Sequence, residues 1–232
     1  MRAASLALVL LAAGFGVGEA GARPATVDPH KFTLAIDNPY LPLAPGSRWV
    51  YRETATDGTS QRIVVRVTHQ TKLIANGVTA RVVRDTATAK GHVVEDTYDW
   101  YAQDRRGNVW YLGEDTKEYE HGKVVSTAGS WEAGVNGARG GLVMPARPRP
   151  GLQYRQEYLA GEAEDSARVL SLDDQAEVPA GHYKHALLTK EWTPLEPDTL
   201  EYKLYARGVG QVLALTVSGG ADREELVSFH RG

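Results

Sequence analysis

The stretch TYDWYAQDRRGNVWYLGED, Thr97 to Asp115, carries five aromatic and four acidic residues in nineteen positions. DRRG has the form of a short hairpin loop, with Gly107 at the left-handed position that a bulged turn requires. Pairing Asp104 with Asn108 puts Ala102 opposite Trp110 and Trp100 opposite Leu112. Side chains alternate along a strand, so Tyr98, Trp100, Ala102, Trp110 and Leu112 share one face, the predicted core face. Asp99, Tyr101, Tyr111 and Asp115 fall on the other face, which is solvated by default.

Working outward, the chain after Pro39 says the same thing twice. PGSRWVY (Pro45–Tyr51) returns as PGLQYRQ (Pro150–Gln156), and NGVTARVVRD returns as AGHYKHALLT. Gly46 to Gly77 spans 31 residues and Gly151 to Gly181 spans 30, while Gly77 to Tyr101 and Gly181 to Tyr205 each span 24. TYDWYAQDRRGNVWYL then aligns with TLEYKLYARGVGQVLAL. The pattern predicts two repeats, residues 40–120 and 145–218, each a meander of about five strands. WVYRETATDGTSQRIVVRVT is a hairpin about Asp57-Gly58, with Ile63, Val65 and Val67 on one face. A lone meander would expose an apolar face, and two can cover it. The expected fold is therefore all-β, two tandem repeats of antiparallel strands closing as a barrel, half-barrel or sandwich. Across the repeats, Tyr98, Trp100 and Tyr101 match Tyr202, Leu204 and Tyr205, whereas Asp99 becomes Lys203 and Asp104 becomes Gly208. That loss of acids favours a scaffold role for the hairpin.

Residues 1–22 read as a secretory signal, with Arg2 before the apolar run AASLALVLLAAGFGVG and small Ala20 and Ala22 ahead of Arg23. Residues 23–232 form one expected domain, secreted or periplasmic, with no membrane span once the signal is removed. With 0 cysteines, the chain has neither disulfides nor thiolate chemistry, and no lipid-accepting Cys follows the signal. A formal net charge of −3 gives no basic footprint for nucleic acid.

Chemistry-bearing motifs are few. No acidic run has the spacing of a calcium loop, and His182 and His185 lie three apart on an expected strand, so they point to opposite faces. No metal or other cofactor is expected, and no nucleophile elbow, phosphate loop or dinucleotide fingerprint occurs. The Gly/Pro-rich connection, residues 121–150, is the most site-like segment, since long irregular connections in compact domains often carry function. It holds Trp131, Glu132 and Met144. Together with Trp192 of KEWTPLEPD (Lys190–Asp198), these are the candidate ligand contacts. The leading expectation is an exported protein that binds an apolar or amphipathic small ligand or an envelope component. The alternatives are a carboxylate hydrolase or isomerase using Glu132, Glu191 and Glu196, or a purely structural module.

PLAPGSRWVY (Pro42–Tyr51), VPAGHYKHALLTKEW, YKLYARGVGQV, EDTYDWYAQDRRGNVWYLGEDTKEYE, GSWEAG and TKEWTPLEP together resemble a family of uncharacterised secreted bacterial proteins. The resemblance spans nearly all of the chain after the signal. It implies an extracytoplasmic all-β protein and supplies no reaction or catalytic residues; the likeness to lipocalin or half-barrel lipoprotein folds is analogy.

Overall fold

The computed structural model describes residues 28–232, so the expected signal segment lies outside the described residues. A short strand β1 (Phe32–Thr33) is followed by a five-stranded meander. Its strands are β2 (Arg48–Thr54), β3 (Ser60–Leu73), β4 (Thr79–Ala89), β5 (His92–Asp104) and β6 (Val109–Glu120). Then come β7 (Lys123–Ser126), β8 (Trp131–Glu132), β9 (Arg139–Met144), β10 (Gln153–Arg155) and β11 (Glu157–Tyr158). A second run contains β12 (Ser166–Val178), β13 (Gly181–Trp192), β14 (Leu200–Ala206), β15 (Gly210–Ser218) and β16 (Arg223–His230).

Every strand pair is antiparallel. The two runs join edge to edge because β16 lies between β15 and β2, while β9 lies beyond β6. The remaining seam is spanned by one segment. Gln153–Arg155 pairs with β12, and Glu157–Tyr158 pairs with β9, with Gln156 at the crossover. The sheet is thereby nearly closed as a barrel, which hides most of its edge hydrogen-bonding groups.

The Pro-Gly turns that begin the two runs make matching bonds. Gly46 N–H donates to Val67 O and Gly151 N–H to Val169 O, both at 2.9 Å. The return bonds run from Val67 N to Ser47 O at 3.0 Å and from Val169 N to Leu152 O at 2.9 Å. Both glycines have positive φ, +91° and +86°, which is cheap only without a Cβ.

The segment 121–150 differs from the expected irregular crossing, because it contains β7, β8 and β9. Three of its glycines, Gly134, Gly140 and Gly141, serve close packing. A Cβ on Gly141 would collide with the carbonyl of Gln156 and with Arg155 O, so this glycine lets the seam strand approach β9.

The hairpin at Asp104–Asn108 forms as expected. Asp104 N donates to Asn108 O at 2.9 Å, Gly107 has φ +89°, and Ala102 faces Trp110. Beyond it the register slips. Asp99 pairs with Glu114 while Tyr101 pairs with Tyr111, so β6 carries an extra residue opposite Trp100. This bulge centres on Gly113, at φ +127°, where a Cβ would overlap Trp131 O. It reverses the alternation downstream, turning Glu114 inward and Asp115 outward, where Asp115 pairs with Lys117.

The assignment of faces is the main correction. Trp100, Ala102 and Leu112 are buried, but on the outside of the sheet, beneath Ile74, Val78, Trp131, Ala133 and Ala138. Asp99, Tyr101 and Tyr111, read as solvated, point into the barrel. Both faces of this hairpin are covered, which simple alternation cannot reveal.

The main core fills one end of the barrel with Ile36, Tyr40, Leu43, Trp49, Val67 and Val169. Residues 34–47 close that end. The buried Asn38 amide donates to Gly107 O at 2.9 Å and Pro145 O at 3.2 Å, and Gly208 N donates to Pro39 O at 2.7 Å. Two hairpin turns and the end of β9 are thus tied to one floor.

Candidate functional site

Above this floor the interior is not filled. A cavity of about 280 Å³ lies between the two runs of strands. Its lower wall is apolar, from Leu41, Leu43, Ile63, Val65, Val83 and Val143, with Trp49, Tyr51, Tyr101 and Tyr111 beside them. The rest is acidic. Nine carboxylates line it, against one cation among the described residues, Lys203.

Strand alternation explains the crowding. Inward positions on β4, β5 and β6 deliver Asp85, Glu95, Asp99 and Glu114, while the seam adds Glu157 and the residue before β12 adds Asp165. β13, β14 and β16 add Glu191, Lys203 and Glu224. Asp99 and Lys203, which the expected repeats align, are both interior. Their difference was read as evidence against a site; it is a difference of charge inside one chamber.

Lys203 organises one side. Its Nζ lies 2.9 Å from Glu191 Oε2 and 3.6 Å from Glu201. Glu191 also accepts hydrogen bonds from Thr189 Oγ1 at 2.8 Å, Gln156 Nε2 at 3.2 Å and Tyr205 OH at 3.3 Å. Burial alone would raise Glu191, but the Lys203 charge and these donors hold it below the usual carboxylate range. Burial opposes the charge on Lys203, yet Glu191 and Glu201 raise its pKa. The pair is a fixed ionic brace.

The other acids behave oppositely. Burial, reinforced by repulsion from Asp99 and other neighbouring acids, pushes Asp85 and Glu114 well above the carboxylate range. Burial raises Asp99 to about 7 even though the Tyr111 hydroxyl donates to it at 2.8 Å. Burial and Asp165 raise Glu157 to about 8, against the Trp131 indole and Lys203. Glu224 stands at about 7 and Asp165 at about 6, burial again leading and Lys203 opposing.

A second chamber of about 170 Å³ shares Asp165, Glu191 and Glu224 with the first. It is bordered by the Thr193–Thr199 and Gly219–Asp222 turns, at the end opposite the floor. Glu53 of β2 lines it, 3% exposed, with Oε2 lacking any hydrogen-bond partner.

No family model matches this chain, and no curated protein does. Among solved structures, a protein of Parabacteroides distasonis ATCC 8503 described as a putative lipoprotein is similar at 10% identity and a TM-score of 0.43. The match covers 82% of this chain and 98% of that one. Among the described residues, no helix is long and apolar enough to cross a membrane.

The residues singled out from sequence are only partly brought together: Glu191, Trp192 and Glu196 share the second chamber, and Trp131, Glu132 and Met144 do not reach it. Glu132 accepts from Ala75 N at 2.7 Å and pairs with Lys72 at 3.0 Å, away from both chambers. Trp131 is buried in the outer core, edge-on to Tyr111 at 5.4 Å, and Met144 is fully buried in the main core. Trp192, with Lys190 over its ring at 5.8 Å, does line the second chamber, as do Glu191 and Glu196. His182 and His185 each have a separate neighbour, Gln175 and Asp173. Asp85, Glu157 and Glu224 were missed, and Asp99 was placed on a solvated face, because a charged position on a strand is ordinarily a solvated one. The signal that could have found them is the number of inward-phase acids falling on strands whose other face is also apolar.

Proposed function

We propose that this is an extracytoplasmic protein, built by duplication of a β-meander, that holds an amphipathic small molecule inside its barrel. The observation that carries the reading is the two-sided lining of the 280 Å³ cavity, aliphatic toward the floor and carboxylic toward the opposite end. Water alone would not favour an aliphatic wall, and a wholly apolar ligand would leave buried acids without donors. The leader-like first 22 residues support export, and the matching Pro-Gly turns support duplication.

The test uses N-phenyl-1-naphthylamine, a neutral amphiphile whose emission rises in apolar surroundings. The chain should bind it saturably, one per protein. Val65→Trp, which places an indole in the cavity, should remove that binding while the fold persists by circular dichroism. Undiminished binding by Val65→Trp would put the ligand elsewhere.

A second reading, acid–base catalysis, is favoured by Asp99 and Glu224, whose carboxyls sit at about 7 within the cavity. The trio Glu132, Glu191 and Glu196 is a poorer choice. Glu132 lies outside the cavity, and Glu191 is held ionised by Lys203 rather than poised to give up a proton.

A further inference from the structure

Among the described charged residues of the second chamber, only Glu53 has a buried side-chain oxygen with no hydrogen-bond partner. Glu191 is braced by Lys203. Asp222 accepts from Thr56 N at 2.6 Å and Thr56 Oγ1 at 2.7 Å. The chamber's cation, Arg223, is engaged by Glu225 at 2.8 Å. Glu196 accepts from Thr199 at 3.3 Å, and Glu224 Oε1 accepts from Gln211 at 2.5 Å. Glu53 is left over. It is 3% exposed, it lines the chamber, and its Oε2 has no donor.

Its setting makes that orphan oxygen harder to dismiss. Glu53 stands directly opposite Glu224 on β16 and directly opposite Gln61 on β3. Side chains at directly paired positions share a face, so three acceptor-bearing groups lie in a row across three strands. Gln61 Oε1 is a second buried acceptor without a donor. Two carboxyls side by side repel once ionised, and a buried unpaired acceptor costs about 1–3 kcal/mol. What such a row lacks is positive charge carrying several N–H donors.

We infer that the second chamber is a receptor for an organic ammonium group, held by Glu53 and Glu224, whose apolar remainder extends into the larger cavity. An –NH₃⁺ brings three donors on a compact charge, which suits neighbouring carboxylates better than a hydroxyl does. A metal ion fits less well, because among the described residues no three acidic or histidine side chains are grouped to hold one. The shared lining residues, Asp165, Glu191 and Glu224, give continuity from head site to tail site. The ligand class is therefore an amphipathic amine. This rests on the reading that the interior holds an amphiphile, and adds the sign and chemistry of its head group.

The test displaces N-phenyl-1-naphthylamine at pH 7 with octylamine, 1-octanol and octanoate, which share a tail and differ in head charge. Octylamine should compete at least ten-fold more tightly than the other two. Glu53→Gln and Glu224→Gln should each erode that advantage several-fold and leave 1-octanol unchanged. If 1-octanol competes as well as octylamine, or octanoate competes best, the ammonium assignment fails while the amphiphile reading stands. If none of the three displaces the probe, the amphiphile reading falls and takes this inference with it. The wild-type series decides the matter even if a variant does not fold.

Discussion

Raising the pH from 5 to 8 should destabilise this protein. Glu53 shows why. Burial, with Glu224, Asp222, Glu95 and Glu201 nearby, lifts its carboxyl from 4.5 to about 8. Between those values the native state holds a proton that the unfolded chain has lost. Stability is then fully present below about pH 4.5 and declines until the folded pKa is passed. At about 1.4 kcal/mol per pH unit, the full displacement is worth roughly 5 kcal/mol, and roughly 3 kcal/mol once screening by water in the chamber is allowed for. Asp99, Glu157, Asp165 and Glu224 act in the same direction. They share one interior, so each ionisation makes the next harder and their contributions do not sum. Opposing them, Asp104 is held low despite burial by bonds from Asn108 and Trp110, and Glu225 is held low despite burial by Arg52 and Arg223. Those two contribute stability that is lost as pH falls below about 4. Urea unfolding followed by tryptophan emission at pH 5, 6, 7 and 8 should show a loss of roughly 1–2 kcal/mol per pH unit, with the maximum near pH 5. In Glu53→Gln the span from pH 5 to 8 should shrink by roughly 3 kcal/mol. A stability that is flat or rising over that range would refute the picture of acids held protonated inside the barrel.

Lys203→Met should cost about 3–5 kcal/mol at pH 7 in the same assay, because it strands Glu191 among other acids; a loss below about 1 kcal/mol would mean that the brace is dispensable. Gly141→Ala should open the seam and speed proteolysis between residues 150 and 165 at least several-fold, whereas an unchanged digestion pattern would show that β9 can move to admit a Cβ. Trp100→Ala should cost about 3–5 kcal/mol yet leave displacement by octylamine unaltered, since Trp100 lines neither chamber. Octylamine binding at pH 7, followed by calorimetry in buffers of different ionisation enthalpy, should release roughly half to one proton per amine as the carboxyls ionise around it. A buffer-independent heat would contradict that coupling.

The hairpin about Gly107, the Pro-Gly turns and the all-β class were legible because each depends on local chemistry. A positive φ, a two-residue alternation or a Pro-Gly pair announces itself within a few positions. The choice of inside and outside was not legible in the same way. Trp100 and Tyr101 are equally good candidates for burial, and both are covered, one by Ile74, Val78, Trp131, Ala133 and Ala138 and one by the opposite wall of the barrel. Gly113 shows the same limit on a smaller scale. Nothing near it in sequence reveals that Trp131 O will press on it, yet its bulge turns Glu114 rather than Asp115 inward. At the site, Glu191 and Trp192 were reached from sequence as part of a Pro-rich segment near an opening. Glu53, Asp85 and Glu224 were not, because their meaning depends on strands far away in the chain.

The pairing of β16 with β2 has a consequence for how the chain reaches this state. Arg52 and Glu225, bonded across that pair at 2.9 Å, are 173 positions apart. As the chain emerges from its N-terminal side, β2 to β6 can assemble early, since each neighbour is next in sequence. The free edge of β2 must then wait until residues 223–230 have appeared. During that interval an unpaired strand carrying Trp49, Val50 and Tyr51 is open to any other strand it meets. Assembly therefore has a slow, late step of high sequence separation, and an exposed edge precedes it. A cell making this protein gains by keeping nascent chains apart until the last strand arrives.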